Sequence, residues 1–224
     1  MIKTVAVMQP YFFPYGGYFS LLRAVDHFVI FDCVQFPRRG WVHRNKVPGP
    51  GGAEEWFTLP MAHQPREISI RELDFATDAD QRLAEMLKRY PWLMADGGAA
   101  PRIREFLSRP LSRPIEFLTA SLALCADLLE VRPTISFSSG LNLSPELKAQ
   151  DRVIAAAKAV GATRYVNASG GREIYQSQPF ADQGLELLFL SPYQGSTWSM
   201  LYRLCTEPAH EIAQEIADNG LAQP

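Results

Sequence analysis

Short apolar runs alternate with amphipathic stretches along the chain. Residues 3–8 and 27–31 are almost uninterrupted apolar or β-branched runs, which is typical of parallel strands buried on both faces. Between them, residues 18–25 have the apolar spacing of a helix. This part of the chain therefore predicts a strand, a loop, a helix and a second strand.

The same alternation continues to the C-terminus. Further strands are predicted at residues 55–60, 134–138, 163–167 and 185–190, and helices at 146–160 and 198–219. Residues 79–130 predict three helices separated by prolyl or glycyl breaks, and thus a helical subdomain. Alternating strands and helices predict one α/β domain over residues 1–224, with a mostly parallel, Rossmann-like sheet and flanking helices.

Composition narrows the class of protein. The 224 residues are 47% hydrophobic, which suffices for a full core, and a net charge of −2 means that phosphate affinity needs a local basic cluster. The three cysteines are scattered without CxxC spacing, which favours a reducing compartment. No apolar run approaches the roughly 20 residues that cross a bilayer. We therefore expect a cytoplasmic protein without membrane association.

The first polar loop, residues 9–18, follows the first predicted strand. Two prolines stiffen it, and Gly16-Gly17 lets backbone amides approach a ligand at the start of the next helix. Tyr11 and Tyr15 are candidate walls of a binding site, and Gln9 is a candidate for orienting the ligand. The alternative is a rigid aromatic plug over the core.

The second loop, residues 32–46, is basic and contains no acid after Asp32. The planar guanidinium groups of arginine suit phosphate or carboxylate, so this segment predicts a small-anion site. A structural ion-pair cluster and a nucleic-acid patch are the alternatives. We expect Asp32 and His43 to be the acid/base pair. The other candidates bind, wall or orient substrate: Gln35, Arg38, Arg39, Trp41, Arg44 and Asn45.

A third loop, residues 167–172, follows another predicted strand. Its Ser-Gly-Gly-Arg sequence, with Ser169 and Arg172, has the shape of an anion cradle, although ordinary turn chemistry explains it as well. Since carboxyl ends of parallel strands share one sheet edge, Gln9, Asp32 and Ser169 are predicted to lie near one crevice.

Metal-binding patterns are missing from the sequence. The four histidines show no HExxH or paired spacing, so we predict no metal site and no tightly bound cofactor. Magnesium is expected only where a phosphorylated substrate brings it.

Three segments together carry a family resemblance: QPYFFPYGGYF at residues 9–19, DCVQFPRRGWVHRNK at 32–46 and WFTLP at 56–60. They resemble the WbqC-like family, with weaker similarity at residues 161–175 and 179–187. Cys33 stands where the family usually has a second acid, so the resemblance does not extend to a pair of adjacent carboxylates. The resemblance implies a modifying or transfer enzyme in bacterial surface-polysaccharide (O-antigen) or amino-sugar pathways.

The segment YGGYFSLLRA, residues 15–24, is also similar to the HxGH signature of adenylylating nucleotidyltransferases. Tyr15 and Tyr18 replace its histidines, so this similarity concerns the fold more than the chemistry.

Three functions follow as hypotheses. The first is transfer of an acyl or aminoacyl group to a phosphorylated or nucleotide-linked amino sugar, from a thioester, an adenylate, a carrier protein or a charged tRNA. The second is a non-catalytic subunit that binds an anionic sugar or a partner enzyme. The third is nucleotidyltransferase-like adenylylation. The oligomeric state does not follow from the sequence.

Overall fold

The computed structural model describes residues 3–221 and is built around a parallel sheet. The strands are β1 (Thr4–Met8), β2 (His27–Ile30), β3 (Arg44–Pro48), β4 (Glu54–Thr58), β5 (Thr134–Phe137), β6 (Arg164–Asn167) and β7 (Glu186–Phe189). Five of them form one sheet in the order β5-β2-β1-β6-β7, and every neighbouring pair is parallel. The α/β, Rossmann-like fold predicted from the sequence is confirmed.

The helices cover both faces of this sheet. They are α1 (Gly16–Arg23), α2 (Ala79–Leu87), α3 (Ala100–Leu107), α4 (Pro114–Leu128), α5 (Ala149–Ala159), α6 (Ser177–Asp182), α7 (Met200–Thr206) and α8 (Ala209–Ala217). Val5 and Val7 of β1 point into a cluster with residues of α5 and α6, and Ala6 points into a larger cluster on the other face. Burial of both faces explains the continuous apolar runs of β1 and β2.

The middle helices belong to the larger of these two clusters. Leu83, Ile103 and Leu118, one from each of α2, α3 and α4, join the same apolar cluster as Phe28 of the central sheet. None of the helices within residues 3–221 has the length and apolar character to span a bilayer.

Strands β3 and β4 form a separate antiparallel hairpin. The sequence pattern predicts β4 but not β3, because the five residues of β3 include two cations and an amide. In β3, Asn45 and Val47 are buried, while Arg44 and Lys46 are partly exposed on the other face. The second polar loop thus ends inside a strand whose alternation sorts its polar residues between two faces.

The order of the sheet strands creates a natural place for a ligand. From β1 the chain proceeds to β2 and β5 on one side, whereas β6 leads to β7 on the other. The connections that leave the carboxyl ends of β1 and β6 therefore diverge. In open α/β sheets a ligand crevice forms at this topological switch point.

Candidate functional site

A cavity of about 570 Å³ opens at this switch point. We call it the tyrosine crevice because Tyr11, Tyr15, Tyr18 and Tyr193 line it. The remaining lining comes mostly from four loops and includes Pro14, Gly17, Trp41, Asn45, Ala168, Ser169, Gly170, Pro192 and Thr197. The structure thus brings together five residues predicted from the sequence: Tyr11, Tyr15, Trp41, Asn45 and Ser169.

The loop after β1 is fixed by buried side chains and by hydrogen bonds to its backbone. Phe12 and Phe13 are fully buried, and Phe13 has a φ of 40°, which is unfavourable for a residue with a side chain. Asn45 donates to the carbonyls of Phe12 and Phe13 at 3.1 and 2.8 Å, and Ser199 donates to Phe13 at 2.6 Å. Since both amide hydrogens of Asn45 are engaged, this residue positions the loop.

The hydroxyls of the four tyrosines differ in their partners. Tyr18 donates to the carbonyl of Gln9 at 2.9 Å, and Tyr193 donates to Glu215. The hydroxyls of Tyr11 and Tyr15 have no hydrogen-bond partner among residues 3–221. Burial raises the pKa of both, and the neighbouring Tyr15 adds to the shift at Tyr11. At neutral pH both hydroxyls are therefore protonated donors available to a ligand.

No charged side chain lines the tyrosine crevice in the described part of the chain. Its walls are aromatic faces and prolines, and its polar groups are neutral hydroxyls and backbone. Such a surface suits a sugar ring or a nucleobase, which stacks on aromatic faces and accepts hydrogen bonds from hydroxyls.

Asp32 lies outside the crevice, at the carboxyl end of β2. It is only 2% exposed and accepts hydrogen bonds from the Ser138 hydroxyl, the Ser139 amide and the Ser139 hydroxyl, at 2.9, 2.9 and 2.6 Å. It borders a different cavity, of about 610 Å³, together with Arg71 and Arg113. The prediction of one common crevice for Gln9, Asp32 and Ser169 is therefore wrong. Ser169 lines the tyrosine crevice, whereas Asp32 and Gln9 do not, although all three residues follow parallel strands of one sheet.

His43 also lies apart from Asp32. Its ring packs edge-on against Phe36 with centroids 5.0 Å apart, and its buried Nδ1 has no partner among the described residues. Burial and, to a lesser degree, Arg44 lower the pKa of His43 to about 4. No hydrogen bond or ion pair joins Asp32 and His43 within residues 3–221, and the catalytic role of each residue stays a prediction.

The predicted cations lie outside the lining of the tyrosine crevice. Arg38, Arg39 and Gln35 border a shallow depression, and Arg44 lies over Trp56 at 4.1 Å from the ring centroid. Arg172 lies over Phe189 at 4.9 Å. None of these arginines lines the tyrosine crevice.

His43 gives a testable pH dependence of stability. Its folded pKa of about 4 lies below the value of about 6.5 in an unfolded chain, so the unfolded state binds the proton more readily. Stability from this residue is complete above pH 6.5 and declines as the pH falls toward 4. We expect the denaturation midpoint of His43→Gln to change less with pH than that of the wild type between pH 6.5 and 5. Burial and Lys3 also lower the pKa of His27, so the same measurement on His27→Gln separates the contributions of the two histidines. A pH dependence in His43→Gln equal to that of the wild type would contradict this account.

The sequence prediction misses Tyr193 and Thr197 in the crevice wall. Both belong to the segment after β7, PYQGSTW at residues 192–198, which contains no charge. The feature of the sequence that could have placed this segment at the site is its position after another parallel strand, together with Pro192 and Gly195. Gly195 permits close packing, because a Cβ there would lie 2.0 Å from a carboxylate oxygen of Glu215.

Among residues 3–221 no group of three or more His, Cys, Asp or Glu side chains is arranged to hold a metal ion. Magnesium would therefore be bound only together with the phosphates of a substrate, by the residues that bind those phosphates. This expectation stays a prediction.

Fold and crevice together define a doubly wound α/β protein with a candidate ligand site at the topological switch point of its sheet. The chain belongs to the WbqC-like protein family, whose model matches residues 9–203. It is similar to the uncharacterized protein Rv1507c of Mycobacterium tuberculosis, with 38% identity over 81 residues. That similarity covers 34% of this chain and 35% of the relative, so the chain matches about a third of the relative's length. No solved structure matches the chain.

Proposed function

We propose that this protein is a group-transfer enzyme acting on a phosphorylated or nucleotide-linked amino sugar. The observation that carries the proposal is the tyrosine crevice at the switch point of the sheet. Its volume of about 570 Å³ falls in the range of small-molecule sites, and its walls combine aromatic faces with two tyrosine hydroxyls that have no partner among residues 3–221. Membership of the WbqC-like family agrees with such a role but does not specify a reaction.

The ring of the substrate is proposed to occupy the crevice. Tyr11, Tyr15 and Trp41 supply faces for stacking, and Ser169 and Thr197 supply hydroxyls that orient the ring. Gly17 lines the crevice in the first turn of α1, where the helix dipole would favour a ligand atom of partial negative charge. These contacts would fix the amino group of the sugar for reaction.

The proposed reaction is acyl or aminoacyl transfer. The nitrogen of the sugar attacks the carbonyl carbon of the donor, an amide bond forms, and the bond from the acyl group to its carrier breaks. The proton lost by the nitrogen passes, through solvent, to the released carrier group. The neutral hydroxyls of Tyr11 and Tyr15 would donate hydrogen bonds to the oxyanion that develops on the carbonyl. The donor would be a thioester, an adenylate, a carrier protein or a charged tRNA, and the reaction would take place in the cytoplasm.

One observation favours a second function, a non-catalytic subunit that binds an anionic sugar. No acid, base or histidine lines the crevice within residues 3–221, so a side chain able to remove the proton is not at hand there. A binding subunit needs only the walls and hydroxyls.

A direct experiment separates these two functions. Purified protein is incubated with a panel of nucleoside-diphosphate amino sugars and acyl-thioester or aminoacyl donors, and mass spectrometry searches for the acylated sugar. Calorimetry with the sugar substrates alone measures binding, and analogues with a hydroxyl in place of the amino group are the control. If the protein is the proposed enzyme, acylated product forms only from the amino sugars. If it is a binding subunit, calorimetry detects binding of the sugars and no product forms. Absence of both would contradict the proposal.

A further inference from the structure

A basic aromatic surface begins at the wall of the tyrosine crevice. Trp41 lines the crevice and also contacts Trp56 of the hairpin, with ring centroids 5.0 Å apart. Both rings are unusually exposed, at 40% and 39%. We call this surface the tryptophan–arginine surface, formed by Trp41, Trp56, Arg38, Arg39, Arg44 and Arg66.

Arg44 ties the parts of this surface together. Its guanidinium lies 4.1 Å from the Trp56 centroid and donates to the carbonyls of Gly40 and Arg39 at 3.2 and 2.8 Å. These bonds fix the turn before Trp41 and orient the segment that carries Arg38 and Arg39. The basic segment is therefore ordered by its own backbone contacts, as expected of a binding surface that forms before its ligand arrives.

The arginines converge on a depression of about 420 Å³. Its lining residues are Gln35, Phe36, Pro37, Arg38, Arg39 and Arg66, without an acid among them. The side chains of Arg39 and Arg66 form no ion pair or hydrogen bond with any residue from 3 to 221. By contrast, nearby Lys46 is neutralised by Glu54 at 2.5 Å. The depression thus concentrates positive charge that the protein itself does not balance.

One loop borders both the depression and the crevice. Arg39 of the depression and Trp41 of the crevice are two residues apart, so their Cα atoms lie within about 7 Å of each other. A nucleotide-linked sugar has a ring separated from its charged phosphates by a few bonds. Its neutral ring fits the uncharged crevice, and its phosphates require the cations that the crevice lacks.

We propose that the arginine depression is a phosphate subsite for the pyrophosphate group of the ligand whose ring occupies the tyrosine crevice, with Arg39 and Arg66 as its principal contacts. This inference rests on the proposed function for the identity of the ring. It adds Arg66 to the binding residues and divides the binding surface into a neutral part and a charged part.

Inorganic pyrophosphate tests the subsite without the ring. We expect wild-type protein to bind it in calorimetry and the Arg39→Ala/Arg66→Ala variant to bind at least tenfold more weakly. Raising the salt concentration should weaken wild-type binding because the contacts are ionic. Arg82→Ala/Arg132→Ala is the matched control, since it removes the same charge from exposed arginines elsewhere and should leave the affinity unchanged.

Several outcomes would overturn the inference. They are the absence of pyrophosphate binding, an equal loss in the control variant, and an undiminished affinity in Arg39→Ala/Arg66→Ala. Tighter binding of a twelve-nucleotide single-stranded RNA, abolished by the same variant, would also overturn it by identifying a nucleic-acid surface. Binding of the unphosphorylated amino sugar is measured in parallel. A protein that binds pyrophosphate but not this sugar would contradict the proposed function without contradicting the phosphate subsite.

Discussion

Replacing Gly170 by phenylalanine is expected to reduce ligand affinity and turnover by a factor of a hundred or more. Gly170 lines the tyrosine crevice, and a Cβ there would have no atom within 4 Å, so a side chain at this position extends into open space. Its φ lies outside the left-handed region that disfavours residues with a side chain. The phenyl ring therefore occupies the volume of the ligand at little cost in folding free energy.

Gly97→Phe is the matched control for this variant. A Cβ at Gly97 also meets no atom within 4 Å, and Gly97 does not line the crevice. Both variants should keep the melting temperature of the wild type, and only Gly170→Phe should lose binding in calorimetry. Full binding by a folded Gly170→Phe protein would show that the ligand lies elsewhere.

The largest loss of stability is expected from Arg203→Ala. Arg203 is 3% exposed and donates to both carboxylate oxygens of Glu215 at 2.7 and 2.9 Å, and it also binds Glu207. Breaking a fully buried ion pair typically costs about 3–5 kcal/mol. Here the arginine is buried but the side chains of Glu207 and Glu215 are 35% and 31% exposed, so water screens part of the charge that is left without a partner. We expect urea denaturation to show a loss of about 2–3 kcal/mol.

Arg102→Ala provides the comparison for Arg203→Ala. Arg102 pairs with Asp127 at 2.9 Å, but both side chains are at least half exposed, so its removal should cost no more than about 1 kcal/mol. Similar losses in the two variants would contradict the assigned role of Arg203. Because Glu215 also accepts from Tyr193, Arg203→Ala should loosen this wall of the crevice and weaken ligand binding in the fraction that stays folded.

The sequence predicts the sheet well because β1 and β2 are short apolar runs that are buried on both faces. It misses β3, because Arg44, Asn45 and Lys46 leave no apolar alternation in this strand, and its pairing with Glu54–Thr58 is what makes it a strand. The helices of residues 79–130 are predicted as elements. Their place in the common core depends on long-range packing, which periodicity does not report.

The candidate site is predicted in part. Tyr11, Tyr15 and Ser169 meet as expected, because each follows a parallel strand and all face the switch point. Asp32 follows a strand too, but the lateral position of β2 and the hydroxyls after β5 direct it toward another cavity. The order of the strands in the sheet decides which loops lie next to each other. Local sequence patterns do not predict that order.

The central claim is that the tyrosine crevice holds the ring of the substrate. A crystal structure of the protein with a bound nucleoside-diphosphate amino sugar tests it most directly. We predict electron density for the ring between Tyr11, Tyr15 and Ser169, with a tyrosine hydroxyl within hydrogen-bond distance of a ring substituent. Density for the ring in the cavity beside Asp32, with an empty tyrosine crevice, would contradict the claim.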